Sequence, residues 1–265
     1  MEKLSLQQVQ QRLLAIAVNV DAICQKHDIP FFMTVGTMLG AVRHKGFIPW
    51  DDDMDFAVPF QYYKQLIKVL KSDLPANMRC ITYNDSNSYK LPWIKVEDCE
   101  TIAFDNSLNI PDDSFPGLTI DIFPLVSCQK DKCSFLVKKI QLLLTTKRVA
   151  YDKNTEKQNI LKSVAKRIIR FITPFSQETI CKKILDYMNR FESGEYYINP
   201  VDPVYLNRYF PQSWFVPMIK YPFENTEFYG ISDYDKYLTL IYNDYMTLPP
   251  EEKRRIHCDN IYLKV

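Results

Sequence analysis

Apolar residues near the start of the chain recur at alternating steps of three and four. Leu6, Val9, Leu13, Ile16, Val20 and Ile23 are separated by Gln, Arg and Asn, and this spacing predicts a helix over residues 4–28. Pro30 interrupts it. Phe31-Phe32-Met33-Thr34-Val35 then reads as a short buried strand, and Gly36-Thr37 opens a short helix from Met38 to Arg43. Gly46 and Pro49 mark a loop. Asp53 to Val58 reads as a second strand ended by Pro59, and Tyr62 to Leu70 as an amphipathic helix. Short strands follow near Cys80-Ile81-Thr82, Trp93-Ile94-Lys95-Val96 and Thr101-Ile102-Ala103-Phe104. A further strand, Leu118 to Phe123, is expected to stop at Pro124. The first half is therefore a mixed α/β unit.

The pattern changes after about residue 130. Twelve basic residues face three acidic ones between Lys130 and Arg170, although the whole chain carries a net charge of only +1. This segment reads as two or three helices, and residues 176–191 as another. The tail is rich in Pro and Tyr, with a helix near Asp233–Tyr245. We divide the chain into a catalytic core, 1–127, and a mostly helical, aromatic C-terminal part, 128–265, packed on it as one continuous domain.

Composition narrows the class. At 265 residues with 46% hydrophobic and 25% charged residues, the chain has ordinary globular composition. Its near-neutral charge gives no general pull toward nucleic acid. No apolar run approaches the roughly 20 residues of a spanning helix, and the first residues are too polar for a signal peptide. Seven scattered cysteines argue against a disulfide framework, so the expected location is cytoplasmic.

The chemistry concentrates in Gly36 to Phe56, which holds three of the six glycines and the acids Asp51, Asp52, Asp53 and Asp55. Carboxylates this close repel one another unless a cation lies among them. On a strand Asp53 and Asp55 share a face. Asp121 stands between Ile120 and Ile122, where a lone carboxylate is costly unless paired or metal-bound. The three together suit Mg²⁺, with Mn²⁺ as the alternative. Gly36-Thr37 at a helix N-terminus suits a phosphate, and Arg43, His44 and Lys45 are candidates to neutralise one. Each piece has a plainer reading as a turn, a cap or surface charge. The ordered combination favours a site.

The run Gly36-Thr37-Met38-Leu39-Gly40-Ala41-Val42-Arg43-His44-Lys45-Gly46-Phe47-Ile48-Pro49-Trp50-Asp51-Asp52-Asp53-Met54-Asp55 resembles the signature of the LicD family, phosphocholine transferases related to fukutin and fukutin-related protein. Ile120-Asp121-Ile122-Phe123-Pro124-Leu125 is similar to the family's second acidic strand. Tyr242-Asn243-Asp244-Tyr245-Met246 with Leu248-Pro249-Pro250 is similar to its C-terminal motif, where the family usually has Gly at the position of Asn243. Asn tolerates left-handed backbone, so a small effect is expected there. The resemblance implies a nucleotidyltransferase-like mixed sheet flanked by helices. It implies Mg²⁺-dependent transfer of phosphocholine, or a related phospho-alcohol, from CDP-choline or another CDP-alcohol. The implied acceptor is a hydroxyl of a cell-surface glycan such as lipopolysaccharide, capsule or teichoic acid, free or lipid-linked.

The resemblance also sets the site. Asp53, Asp55 and Asp121 are the catalytic and metal-holding residues, and Asp121 is either a ligand or the base. Gly36, Thr37, Arg43, His44, Lys45 and Trp50 bind substrate. Two alternatives stand beside this reading. One is a nucleotidyltransferase moving NMP to a sugar or sugar phosphate; the other is a non-catalytic nucleotide- or glycan-binding module. The cationic stretch 160–175 suggests peripheral contact with the inner face of a membrane, although a packed helix with a solvated basic face is the preferred reading. His257 is a weak further candidate for the pocket. Tyr221, Phe223, Phe228 and Tyr229 offer a choline box, but core packing is preferred.

Overall fold

The structure is a computed structural model that describes residues 1–85, 90–103, 117–151, 175–202, 208–254 and 260–264. The basic stretch 160–174, Phe104 and His257 lie outside the described residues. The chain opens with strand β1 (Glu2–Lys3) and helix α1 (Leu6–Lys26). Ser5 and Gln8 form a reciprocal capping box at the start of α1. Its predicted apolar face, Val9, Leu13, Ile16, Val20 and Ile23, is buried against the sheet.

A mixed sheet carries the fold. Its strands are β2 (Phe32–Met33), β3 (Asp55–Pro59), β4 (Met78–Ile81), β5 (Ile94–Asp98) and β7 (Thr119–Cys128), in the order β2-β3-β7-β5-β4. Helix α2 (Val35–His44) joins β2 to the loop before β3, and α3 (Tyr63–Asp73) follows β3. Strands β3 and β7 run parallel, while β2, β5 and β4 pair antiparallel to their neighbours. Strand β6 (Thr101–Ala103) belongs to a small separate sheet.

Pro124 does not end its strand as expected, because β7 runs on to Cys128. The Asp121 amide donates to the Met54 carbonyl on the β3 side, so by alternation Pro124 would point its missing N–H to the opposite side. There the β5 ladder has already finished at Ile122, and β8 (Tyr196–Ile198) begins pairing only at Val126. The proline falls in a gap between two ladders and leaves no donor missing.

The second half completes the first. Helices α4 (Ser134–Tyr151) and α5 (Gln177–Met188) bury Val137, Ile140, Ile180, Ile184 and Met188 in a cluster with the far end of β7. Strand β9 (Phe210–Pro211) pairs with β8. A hairpin, β10 (Ile219–Phe223) and β11 (Thr226–Gly230), and helix α6 (Tyr234–Tyr242) pack onto the main core. Phe223 and Phe228 are each 1% exposed within that core, so the packing reading of these aromatics holds and they form no choline box. Strand β12 (Ile261–Leu263) bridges β1 and β6.

Candidate active site

Helix α2 starts one turn earlier than the spacing predicts. Thr34 is extended, Val35 turns sharply with φ of 44°, and the helix begins at once. Gly36 and Thr37 therefore lie in its first turn, where backbone N–H groups have no intrahelical acceptor. The Thr34 side chain at the N-cap makes no capping hydrogen bond. Gly36 lines the cleft, and a Cβ there would stand 3.2 Å from an Asp51 carboxylate oxygen. Thr37 is buried instead. Its hydroxyl accepts the Asp55 amide at 2.8 Å, which ties the helix start to the acidic strand.

That tie fixes the acids. Asp55 is the first residue of β3 and sits in register with Asp121 on the parallel strand β7. Asp53 precedes the strand by two residues rather than belonging to it. Asp55 keeps some surface open to the cleft, so it is half-buried. Enclosure by protein pushes its carboxyl pKa well above the ordinary value, and Asp53, Asp121, Asp202 and Asp51 reinforce the shift in that order. Asp121 is opposed across the sheet by Lys95 of β5, whose Nζ lies 2.5 Å from its Oδ1. An ammonium thus already stands beside one of the acids.

The donor set is carboxylate oxygen throughout, which suits Mg²⁺ or Mn²⁺. Crowding on Asp55 is the strain that a cation among these groups would relieve. Among the described residues, however, no three carboxylate, imidazole or thiol side chains already converge as a ligand set. The acids are near enough to raise the Asp55 pKa and would have to close further to share an ion.

A cleft of about 780 Å³ opens over this floor. Val35, Gly36, Asp51, Asp53 and Asp55 form one side, with Arg43 and Trp50. The stretch from Tyr242 to Pro250 forms the opposite wall. The Arg43 guanidinium donates to the Tyr245 carbonyl at 2.7 Å and to the His44 ring at 2.9 Å, joining the two walls. Burial lowers the pKa of Arg43, and burial together with Arg43 lowers that of His44. Trp50 is covered by the Arg254 guanidinium, 4.6 Å from its ring centroid. Burial and neighbouring Tyr237 and Asp55 raise the pKa of Tyr242, so its phenol remains protonated.

The structure thus gathers Gly36, Arg43, Trp50, Asp53 and Asp55 around one cleft, with Asp121 beside Asp55. His44 stands behind Arg43. Lys45 is exposed in a left-handed C-cap, and its Nζ reaches back to the Val42 carbonyl at 3.3 Å. Asp202 and Lys95 are members that sequence reasoning missed. Asp202 is an isolated acid between two prolines in an irregular stretch, with no periodicity to mark it. Lys95 carried a signal, an ammonium in an apolar strand, as Asp121 did among isoleucines.

Residues 28–141 match the family model described as LicD/FKTN/FKRP, nucleotidyltransferase domain. The chain is 28% identical over 270 residues to the lipopolysaccharide cholinephosphotransferase LicD of Haemophilus influenzae, an alignment covering 97% of each protein. Shorter similarities reach uncharacterized proteins of Rickettsia typhi, 39% identical over 62 residues and 22% of this chain, and of Rickettsia prowazekii, 52% identical over 46 residues and 17% of this chain. The matched stretch contains both acidic strands and the helix start of the cleft, so the part of the chain that builds the site is the part similar to the LicD/FKTN/FKRP nucleotidyltransferase domain.

Proposed function

We propose that this protein transfers phosphocholine, or a related phospho-alcohol, from a CDP-alcohol to a hydroxyl of a cell-surface glycan such as lipopolysaccharide, capsule or teichoic acid. The carrying observation is that Asp53 and Asp55 line a cleft that also holds a helix N-terminus and Arg43, with Asp121 in register beside Asp55 on the neighbouring strand. The near full-length similarity to a cholinephosphotransferase supports the same reading. Among the described residues no helix is long and apolar enough to cross a membrane.

In this reading Asp53 and Asp55 are the residues that would hold a divalent cation, Mg²⁺ or Mn²⁺, with Asp121 as a third oxygen donor. When bound, that ion would neutralise negative charge on the donor diphosphate and on departing CMP. The first-turn amides of α2 and Arg43 hold phosphate oxygens. The acceptor hydroxyl attacks the phosphorus that bears the alcohol. Its oxygen–phosphorus bond forms as the bond from that phosphorus to the CMP oxygen breaks. The hydroxyl proton passes to a carboxylate, and Asp121 is the candidate base. Lys95 holds Asp121 in place by their ion pair.

Incubation with CDP-choline, Mg²⁺ and acceptor glycan tests this. Release of CMP matched by choline phosphate on the glycan supports it. Use of a nucleoside triphosphate with release of diphosphate would move the assignment to nucleotidyl transfer. Metal-dependent binding without turnover, acceptor present, would make the protein a binding module.

A further inference from the structure

Val35, which lines the cleft, has a backbone that its side chain resists. A β-branched residue at φ of 44° is a genuine outlier, and such turns persist only where surrounding contacts over-determine them. Three hydrogen bonds do so here. The Thr34 amide donates to the Asp55 carbonyl at 3.0 Å. The Asp55 amide donates to the Thr37 hydroxyl at 2.8 Å. The Val35 amide donates to the Tyr237 hydroxyl at 3.2 Å, across 202 positions of sequence. Tyr237 belongs to α6, is 1% exposed, and has its ring held 5.0 Å from that of Phe210. It does not line the cleft, whereas Val35 and Gly36 do.

We propose that Tyr237 is a positioning residue. Its hydroxyl holds the strained Val35 turn and so sets the first turn of α2 against the acidic strand. This rests on the transferase reading above, in which the amides of that turn receive donor phosphate. The bond also explains why a helix from the C-terminal part is needed for a site whose candidate metal-holding acids, Asp53, Asp55 and Asp121, come from the sheet side. Without it, Val35 relaxes to negative φ, the start of α2 swings, and the phosphate cradle loses its alignment with Asp53 and Asp55.

The experiment compares Tyr237→Phe, Tyr221→Phe and the double variant Val35→Gly/Tyr237→Phe in donor kinetics with CDP-choline and Mg²⁺. Tyr221 is a fitting control because its hydroxyl also bonds a backbone group, the Ile231 carbonyl at 2.9 Å, away from the cleft. Tyr237→Phe is expected to lower kcat at least tenfold, and Tyr221→Phe to leave it unchanged at a comparable Tm. Glycine adopts φ of 44° without strain, so the double variant is expected to recover most of the lost kcat. Wild-type kcat in Tyr237→Phe, or a loss that Val35→Gly does not rescue, overturns the proposal. Hydrogen exchange reads the same clamp without turnover. The amides of residues 35–37 should exchange faster in Tyr237→Phe, and unchanged exchange overturns the clamp. A wild-type protein that releases no CMP from any CDP-alcohol, yet shows this exchange difference, refutes the transferase reading and leaves the clamp standing.

Discussion

Replacing Asn243 by glycine should stabilise this protein. Asn243 ends α6 with φ of 60° and ψ of −113°. Those angles belong to the first central residue of a type II′ turn, a position dominated by glycine. Asparagine tolerates the left-handed well near ψ of about +47°, but that is a different region. The small effect expected from the sequence therefore does not follow. A side chain held in such a region costs on the order of 1–3 kcal/mol. Glycine removes that strain but gives about 0.4–1 kcal/mol back through the greater freedom of the unfolded chain. The net gain is about 1 kcal/mol, and for a chain of this size that raises Tm by about 2–4 °C. Asn243→Ala keeps the Cβ and should give no gain. The assay is differential scanning calorimetry of the three proteins at one pH and one metal concentration. The Asn243 amide donates to the Thr239 carbonyl at 2.9 Å, and glycine preserves that bond, so transfer activity should persist. An unchanged or lower Tm for Asn243→Gly would refute the strain argument.

Other outcomes follow from the cleft. Asp53→Asn or Asp55→Asn should abolish CMP release while circular dichroism stays that of the wild type; near wild-type turnover in either would sink the metal assignment. The Asp55 pKa is raised in the folded state, so its protonated form stabilises the metal-free protein below the ordinary carboxylate pKa, and this contribution is lost as pH rises through the folded value. A cation must displace that proton, so the Mg²⁺-induced rise in Tm should be larger at pH 7.5 than at pH 5.5, and equal shifts would contradict the coupling. Gly40→Ala should destabilise by about 1–3 kcal/mol, because overpacking is not easily absorbed. Its Cβ would stand 2.4 Å from the Gly46 carbonyl oxygen, a backbone atom that can move only with the loop carrying the acids. A wild-type melting curve for that variant would show that the loop is free to shift.

Local pattern determined a good deal of this protein. The three-and-four spacing of α1 was legible because one helix face is buried along its length. The strand of Asp55 and the strand of Asp121 were legible because a carboxylate among β-branched and aromatic neighbours stands out. Their order after Gly36-Thr37 was enough to point to phosphate chemistry. Tertiary structure decided the rest. Only the parallel register of β3 and β7 sets Asp55 against Asp121, and only the antiparallel register of β5 brings Lys95 to it. The continuation of β7 through Pro124 depends on which flanking strand is absent at that residue. Thr37, a candidate phosphate ligand by sequence, proves to hold the backbone of Asp55. Asp202, Tyr237 and Tyr242 reach the site from the last quarter of the chain, and the bond between Val35 and Tyr237 spans 202 positions of sequence. Periodicity reports which face of an element is buried. It carries no information about which distant element buries it, and the opening acidic segment becomes a cleft only when the C-terminal stretch from Tyr242 to Pro250 closes its other side.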